Sequence, residues 1–223
     1  MKYYAIAIDG PSGAGKSTLA RILAAELQYI YVDTGAMYRA IGLHVLRLGI
    51  CPKEAAAVTT VLDGLQIHLG YVDGEQHIWL DGEDVSGLIR TPEVSMAASA
   101  VSAHPPVRAF LLSLQRKIAS ENNVIMDGRD IGTVVLPDAD LKIFLSASVE
   151  DRARRRYEEL LEKGQCVSYD DVLSDMIARD TADSTRAAAP LRPAEDAVCV
   201  DTTGNTLEQS ITLLKNLVEE HRV

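Results

Sequence analysis

Nine consecutive residues, Gly10, Pro11, Ser12, Gly13, Ala14, Gly15, Lys16, Ser17 and Thr18, have the types and spacing needed to hold a polyphosphate. Read as Gly-x4-Gly-Lys-Ser, they satisfy the pattern of a phosphate-binding loop. An apolar run, Tyr4 to Ile8, precedes them, and Leu19, Ile22, Leu23 and Leu27 follow on one side of a helix. A strand must therefore turn sharply into a helix, so that successive backbone N–H groups point at one anion. The glycines let the backbone approach phosphate oxygens with no Cβ in the way. Lys16 can then reach the β- and γ-phosphates, and the Ser17 hydroxyl can ligate Mg²⁺. The positive N-terminal end of the helix faces the same anion. The run implies a bound nucleoside triphosphate and leaves open what is done with it.

Three further clusters bear on that question. Asp33-Thr34-Gly35-Ala36-Met37-Tyr38-Arg39 follows a short apolar run at 30–32. Asp33 or Thr34 can cap a helix starting near Ala36. Arg39 then lies about one turn inside that helix and points back toward the strand ends, where open α/β sheets bind ligands. In Val124-Ile-Met-Asp127-Gly-Arg129-Asp130-Ile-Gly, an apolar strand ends in a carboxylate. Asp127 is placed to hold the water shell of a metal beside the phosphate loop. Arg129 can clamp a phosphate, and Asp130 can accept hydrogen bonds from a base or sugar. An ordinary Asp-Gly turn would use the same residues, but the neighbouring phosphate loop favours a site.

The third cluster is arginine-rich. Between 150 and 159, Arg154 has Glu150 and Glu158 four residues away, and Arg155 has Asp151 and Glu159, as solvated helix-surface pairs do. Arg152 and Arg156 face each other at i,i+4 instead, although Glu159 can reach Arg156 at i+3. A like-charge pair of this kind suits an anion lying between the two. Arg179, Asp183 and Arg186 share one helical face if the helix extends that far. A mobile flap carrying arginines onto the transferring phosphates would explain both groups.

The elements that position these residues alternate as a parallel sheet with crossovers requires. Strands are expected at 4–8, 30–32, 123–127, 141–145 and 197–201. Helices are expected at 16–28, 36–48, 92–103, 106–120, 149–163, 169–182 and 206–220, with Gly49 as the stop of the second. Residues 63–90 break the pattern: Leu65 to Tyr71 and His77 to Leu80 alternate with period two around Asp73-Gly74. They imply a small antiparallel hairpin or three-stranded insert, too short to be an independent domain. The stretch 183–193, with Pro190 and Pro193 around an alanine run, is expected to be a connecting loop.

Composition sets outer bounds. The 223 residues, 47% hydrophobic and 24% charged, suit one soluble α/β domain carrying an insertion. A formal net charge of −10 argues against non-specific nucleic-acid binding, so anionic ligands must be met by local clusters of Arg and Lys. Cys51, Cys166 and Cys199 are far apart and have no metal-ligand spacing, which implies reduced thiols. The first strand begins by residue 3 or 4, leaving no room for a signal peptide, and no run of about 18 apolar residues could span a membrane. A cytoplasmic location is expected.

GPSGAGKST, DTGAMYR, SMAASAVSAHPPVR, DGRDIGTVV and ARDTADSTRAAAPL occur in that order and together resemble bacterial cytidylate kinase over nearly the whole chain. The resemblance implies a P-loop nucleoside-monophosphate-kinase fold. Its parts would be a five-stranded parallel sheet core with helices on both faces, a small antiparallel NMP-binding insert and a helical lid. A single domain would be divided into a core (1–62, 91–150 and 187–223), the insert (63–90) and the lid (151–186). It implies ATP as co-substrate, Mg²⁺ held by Ser17 and, through water, Asp127, and transfer of phosphoryl to CMP or dCMP. Residues 10–18 would bind ATP. Thr34, Arg39, Ser99, Arg108, Arg129, Asp130, Arg179, Asp183 and Arg186 would line the CMP pocket. By the same resemblance Arg39, Arg108 and Arg129 hold the acceptor phosphate, Ser99, Arg108 and Asp130 read cytosine, and Arg179 and Asp183 face the sugar. Thr34 stands where some relatives have Ser and keeps the hydroxyl. Lys16, Arg129, Arg152 and Arg156 would carry catalysis. Small nucleotides are the expected partners, with no nucleic acid or membrane, and the expected state is a monomer.

Two rival readings remain at this stage. A GTPase switch would need a guanine-reading Asn-Lys-x-Asp, which the chain lacks; the Asp-x-x-Gly at Asp201 to Gly204 lies near the C-terminus. Another small-molecule kinase on the same fold would differ only in its acceptor, UMP or a non-nucleotide, because a phosphate loop does not identify the acceptor.

Overall fold

The first apolar run forms β1 (Ala5–Asp9), in which Ile6, Ala7 and Ile8 are wholly buried. A central strand covered on both faces reads as a continuous hydrophobic run, which is why this segment shows no alternation. The computed structural model describes residues 3–72 and 74–221; Asp73, in the expected hairpin turn, lies outside them. The chain divides into two compact units, Met1–Tyr31 with Glu121–Val223, and Val32–Ser120.

In the first unit β1 leads through the glycine-rich loop into α1 (Lys16–Leu27) and on to β2 (Ile30–Asp33), whose last two residues belong to the second unit. The chain returns with β6 (Val124–Gly128), β7 (Leu141–Ser146), α6 (Val149–Glu162), α7 (Tyr169–Thr185), β8 (Val198–Asp201) and α8 (Leu207–His221). The strands form one parallel five-stranded sheet in the order β2-β6-β1-β7-β8. β1 lies between β6 and β7, with Ile8 opposite Asp127 and Asp9 opposite both Gly128 and Phe144. This is where the chain passes from one side of the sheet to the other, and the carboxyl ends of strands at such a switch point are the ordinary place for a ligand. Ile6, Ile8, Leu19, Leu23, Ile125, Ile143, Leu145 and Leu214 make the core beneath it. A smaller cluster, Ala153, Leu160, Val172 and Met176, joins α6 to α7.

In the second unit α2 (Thr34–Arg47) packs on α4 (Pro92–Val101). A Cβ on Gly42 would stand 2.9 Å from the Ala98 backbone nitrogen, so the close approach of these helices requires glycine there. Between them come α3 (Ala55–Thr60), then an antiparallel sheet of β3 (Ile67–Val72), β4 (Glu75–Leu80) and β5 (Glu83–Asp84), and a short 3₁₀ turn at Leu88–Arg90. α5 (Pro105–Glu121) follows α4. The small antiparallel sheet is thus three-stranded, one of the two forms the alternation left open.

Departures from the expected elements are small and have local causes. α2 starts two residues early because Asp33 alone provides the cap. α7 runs on to Thr185, so the connecting loop starts at 186 instead of 183. α3 buries only Val58 and carries no periodic signal. The β-branched Ile131-Gly-Thr-Val-Val forms a single wide helical turn after β6, with the Asp130 carbonyl accepting from Val134 and Val135.

Candidate active site

The site residues of the first unit gather at the carboxyl ends of β1 and β6. Gly10 opens the phosphate loop where a Cβ would collide with the Leu145 carbonyl oxygen, and Gly15 closes it in a left-handed conformation at φ 85° that starts α1. Lys16 is buried and its Nζ donates to the Pro11 carbonyl at 2.7 Å, so the side chain folds back along the loop. Burial pulls its pKa down to about 7, the nearby Arg129 pushes the same way, and Asp127 and Asp9 only partly counter them. An ammonium held so far from its ordinary range is poised for an anion that would restore its charge.

Ser17 Oγ donates to Asp127 Oδ2 at 2.8 Å, and the Tyr31 phenol donates to Oδ1 at 2.9 Å. Hydroxyl and carboxylate together make an all-oxygen donor set. Such a set suits Mg²⁺, which keeps several waters and takes its remaining ligands from phosphates. Among the described residues no group of three or more His, Cys, Asp or Glu could hold a metal.

Beyond β6, Arg129 Nε donates to Asp183 Oδ2 at 2.8 Å, tying the strand end to α7. Burial pushes the Asp183 carboxyl up, but Arg129, Arg179 and Arg186 prevail and hold it below the usual range. Asp130 is buried with Arg186 Nη2 3.5 Å from its Oδ1, and Arg186 Nε donates to the Ala189 carbonyl at 2.8 Å. Arg129, Asp130, Asp183 and Arg186 therefore come together, and Arg179 lies near enough to act on both Asp183 and Lys16.

The two arginines expected to flank an anion behave differently from each other. Arg152 is buried, and its guanidinium donates to the Ala147 carbonyl at 2.9 Å, the Ser12 carbonyl at 2.9 Å and Asp180 Oδ2 at 2.6 Å. It thus links α6, the phosphate loop and α7. Arg156 pairs with Glu159 on the surface, the i+3 contact open to it from the spacing. Arg155 takes Asp151 and the Thr202 carbonyl, which ties α6 to the Asp201–Gly204 loop.

The second unit places its own set. Asp33 Oδ1 accepts from the Ala36 amide at 2.9 Å as the cap of α2, while its Oδ2 receives Arg39 Nη2 at 2.7 Å. Thr34 is buried at the first turn of the same helix. Arg39 Nε is buried and finds no acceptor among the described residues. Arg108 lies over the Tyr38 ring at 5.6 Å and donates to the Ser102 carbonyl at 3.2 Å. Ser102 in turn donates its hydroxyl to the carbonyl of Ser99, so Ser99 and Arg108 are linked through it.

The family model described as Cytidylate kinase matches residues 6–220. The chain belongs to the cytidylate kinase family. A cytidylate kinase from Caldicellulosiruptor bescii is 52% identical over 94% of this chain and 92% of its own length. One from Caldicellulosiruptor saccharolyticus is 54% identical over the same shares. A solved structure of an uncharacterized protein from Eubacterium ventriosum aligns with 98% of this chain and 99% of its own, at TM-score 0.56 and 14% identity, a likeness of fold alone. No helix of the described residues is long and apolar enough to cross a membrane.

Four residues bonded to or beside the candidate site residues of this cytidylate kinase chain escape a reading of its motifs. Asp9 accepts from the Ile131 and Gly132 amides, each at 2.7 Å. Tyr31 fixes Asp127, Tyr38 supports Arg108, and Asp180 receives Arg152. A carboxylate closing an otherwise apolar strand was the one available signal, at Asp9. The others are made by partners far apart in sequence.

Proposed function

We propose that this protein transfers the γ-phosphoryl group of ATP to the phosphate of CMP or dCMP, yielding CDP or dCDP and ADP, as a cytoplasmic monomer. One arrangement carries the reading within a cytidylate kinase chain: Lys16, Ser17, Asp127, Arg129 and Asp130 stand together at the carboxyl ends of β1 and β6. The loop amides of residues 10–18 hold the triphosphate, and Lys16 exchanges the Pro11 carbonyl for phosphate oxygens. Ser17 and, through water, Asp127 would hold Mg²⁺, which when bound neutralises charge shared between the phosphates.

The acceptor is a phosphate oxygen that is already anionic near neutral pH, so no general base is required. The protein must supply alignment and charge neutralisation. In this reading Arg39, Arg108 and Arg129 hold the acceptor phosphate, and the buried Arg39 Nε is a donor suited to it. Ser99, Arg108 and Asp130 read the base, Arg179 and Asp183 meet the sugar, and Thr34 and Arg186 complete the pocket. Residues 63–90 serve as the NMP-binding insert and 151–186 as the lid. Arg156 would leave Glu159 for the transferring phosphoryl, while Arg152 acts from its place behind the loop.

A coupled assay of ADP formation with CMP, dCMP, UMP and AMP tests the reading. CMP or dCMP should exceed AMP by about 10²-fold in kcat/KM, because a pocket built around specific hydrogen bonds rejects a base that leaves them unmade. Equal rates with all four acceptors would defeat it.

A further inference from the structure

Asp9 lies between the two loops that the proposed reaction uses, and that reaction assigns it no role. It ends β1 immediately before Gly10, is 4% exposed, and uses both carboxylate oxygens: Oδ1 accepts from the Ile131 amide and Oδ2 from the Gly132 amide, each at 2.7 Å. Those amides open the wide turn Ile131–Val135. Asp130 precedes that turn but does not cap it with its own side chain, which lies instead against Arg186. A charged oxygen on two consecutive backbone N–H groups makes short, directional bonds. Together they set the path of the chain as it leaves β6. Because Asp9 is opposite Gly128 in the sheet, the segment 128–132 is held at both ends, by strand pairing at 128 and by this carboxylate at 131 and 132. Arg129 and Asp130 are the two residues in between. Gly132 sits close enough that a Cβ there would meet Asp9 Oδ2 at 3.4 Å and the Lys142 side chain at 3.1 Å, so little slack exists on the far side.

We propose that Asp9 is a positioning residue for acceptor recognition: by clamping the Ile131 and Gly132 amides it aims Arg129 and Asp130 at the acceptor nucleotide and keeps them in register with the phosphate loop that begins one residue later. This rests on the reading of the site as a CMP kinase. A residue acting in this way influences the acceptor's phosphate and base together, and the triphosphate much less. The Ile131 and Gly132 amides lie outside the phosphate loop, and Asp9 meets Lys16 only through its charge, not through a hydrogen bond between them.

The test compares steady-state kinetics of the wild type, Asp9→Asn and Gly132→Ala, varying CMP, UMP and ATP in turn. Asn keeps the size of the side chain but presents an N–H to one of the two amides. The added methyl of Gly132→Ala touches the same oxygen at 3.4 Å and crowds the Lys142 side chain at 3.1 Å, so it shifts the 131–132 segment while leaving the carboxylate in place. Asp9→Asn should raise KM for CMP about tenfold, lower the CMP-to-UMP ratio of kcat/KM by about fivefold and leave KM for ATP within about twofold. Gly132→Ala should move the first two in the same direction by about threefold. Val218→Ala, a buried substitution in the core of the same unit, controls for loss of stability alone and should leave both ratios where they are. An unchanged CMP-to-UMP ratio in Asp9→Asn overturns the proposal, as does equal loss toward CMP and ATP. Should Asp9→Asn fail to fold, an unchanged ratio in Gly132→Ala does the same. A wild type that does not prefer CMP would instead defeat the underlying reading, which the same assay shows before any variant is made.

Discussion

Ser17 and Asp127 are bonded side chain to side chain at 2.8 Å, joining the first turn of the helix after the phosphate loop to the end of the neighbouring strand. The other carboxylate oxygen is taken by Tyr31 at 2.9 Å, so the carboxylate cannot rotate without losing a partner. Asp127→Asn keeps the shape and removes the charge. It should lower kcat by about 10²-fold and raise the Mg²⁺ concentration for half-maximal rate by about tenfold. Tyr31→Phe, which releases only the orientation, should raise that concentration about threefold with a smaller loss of kcat. Rates titrated with free Mg²⁺ at fixed ATP decide between these outcomes. An Mg²⁺ curve in Asp127→Asn that overlays the wild type would remove the carboxylate from the metal site.

Lys16 is buried, with Nζ on the Pro11 carbonyl and, among the described residues, no carboxylate in a hydrogen bond to it. Its charge is therefore a cost to the folded chain that Asp127 and Asp9 offset only in part and a bound anion would offset further. Lys16→Met, which retains most of the aliphatic stem, should cut turnover by about 10³-fold. Its melting temperature should stay within about 3 °C of the wild type. Near-normal CMP phosphorylation in this variant would mean that the phosphate loop is not where transfer occurs.

The fold was legible because its signals are local. β1, α1 and the cap of α2 follow from runs of a dozen residues or fewer, and Asp33, Ala36 and Arg39 fall within one another's reach along a single helix. The site was legible where motifs place residues side by side, as in Gly10 to Thr18 and Asp127 to Asp130. Arg152 shows where such reasoning stops. Its neighbours at i±4 suggest an unpaired cation, yet its acceptors are the Ser12 carbonyl, 140 residues away, and Asp180, 28 residues away. Tyr31 and Asp127 are likewise 96 residues apart. No periodicity encodes a contact formed only when the sheet assembles.

That placement of Arg152 yields a prediction of its own. Removing a guanidinium with three acceptors leaves Asp180 as a partly buried carboxylate whose other oxygen already lacks a partner among the described residues. Arg152→Ala should cost about 3 kcal/mol, the range for breaking a buried charge pair. For a chain of this length, that corresponds to a fall in melting temperature of about 10 °C. Lys should restore only part of it, because one ammonium cannot span three acceptors. Differential scanning calorimetry of the Ala and Lys variants measures this. A melting point unchanged in the Ala variant would mean that Arg152 is not held as the structure shows.

Asp130 is buried beside Arg186 and next to Arg129, on the segment that the site would use to meet the acceptor. Asp130→Ala should lower kcat/KM for CMP by about 10²-fold and for UMP by less, compressing the ratio about tenfold while KM for ATP moves within about twofold. Competition between CMP and UMP in one reaction gives the ratio directly. If the ratio holds while both fall, Asp130 supports the loop and does not read the base.

Asp9 also makes a prediction about stability with a definite sign. Burial lifts its carboxyl from 3.8 to about 6, against the lowering effect of the Gly132 and Ile131 amides. Between those two values the folded chain binds a proton that the unfolded chain has already released. Stability due to this group is therefore greatest below about pH 4, declines as pH rises through 6, and is level above that. About two pH units at about 1.4 kcal/mol each bounds the change near 3 kcal/mol. Asp9→Asn cannot titrate. The unfolding free energy of the wild type minus that of Asp9→Asn, from urea titrations at steps between pH 4.5 and 7.5, should therefore fall along this curve. Taking the difference cancels the distant carboxylates, which titrate alike in both proteins; Lys16, pulled further down once the Asp9 charge is gone, adds a fall of the same sign. A difference that instead stays level across this range would mean that the two amides outweigh burial and hold Asp9 ionised throughout.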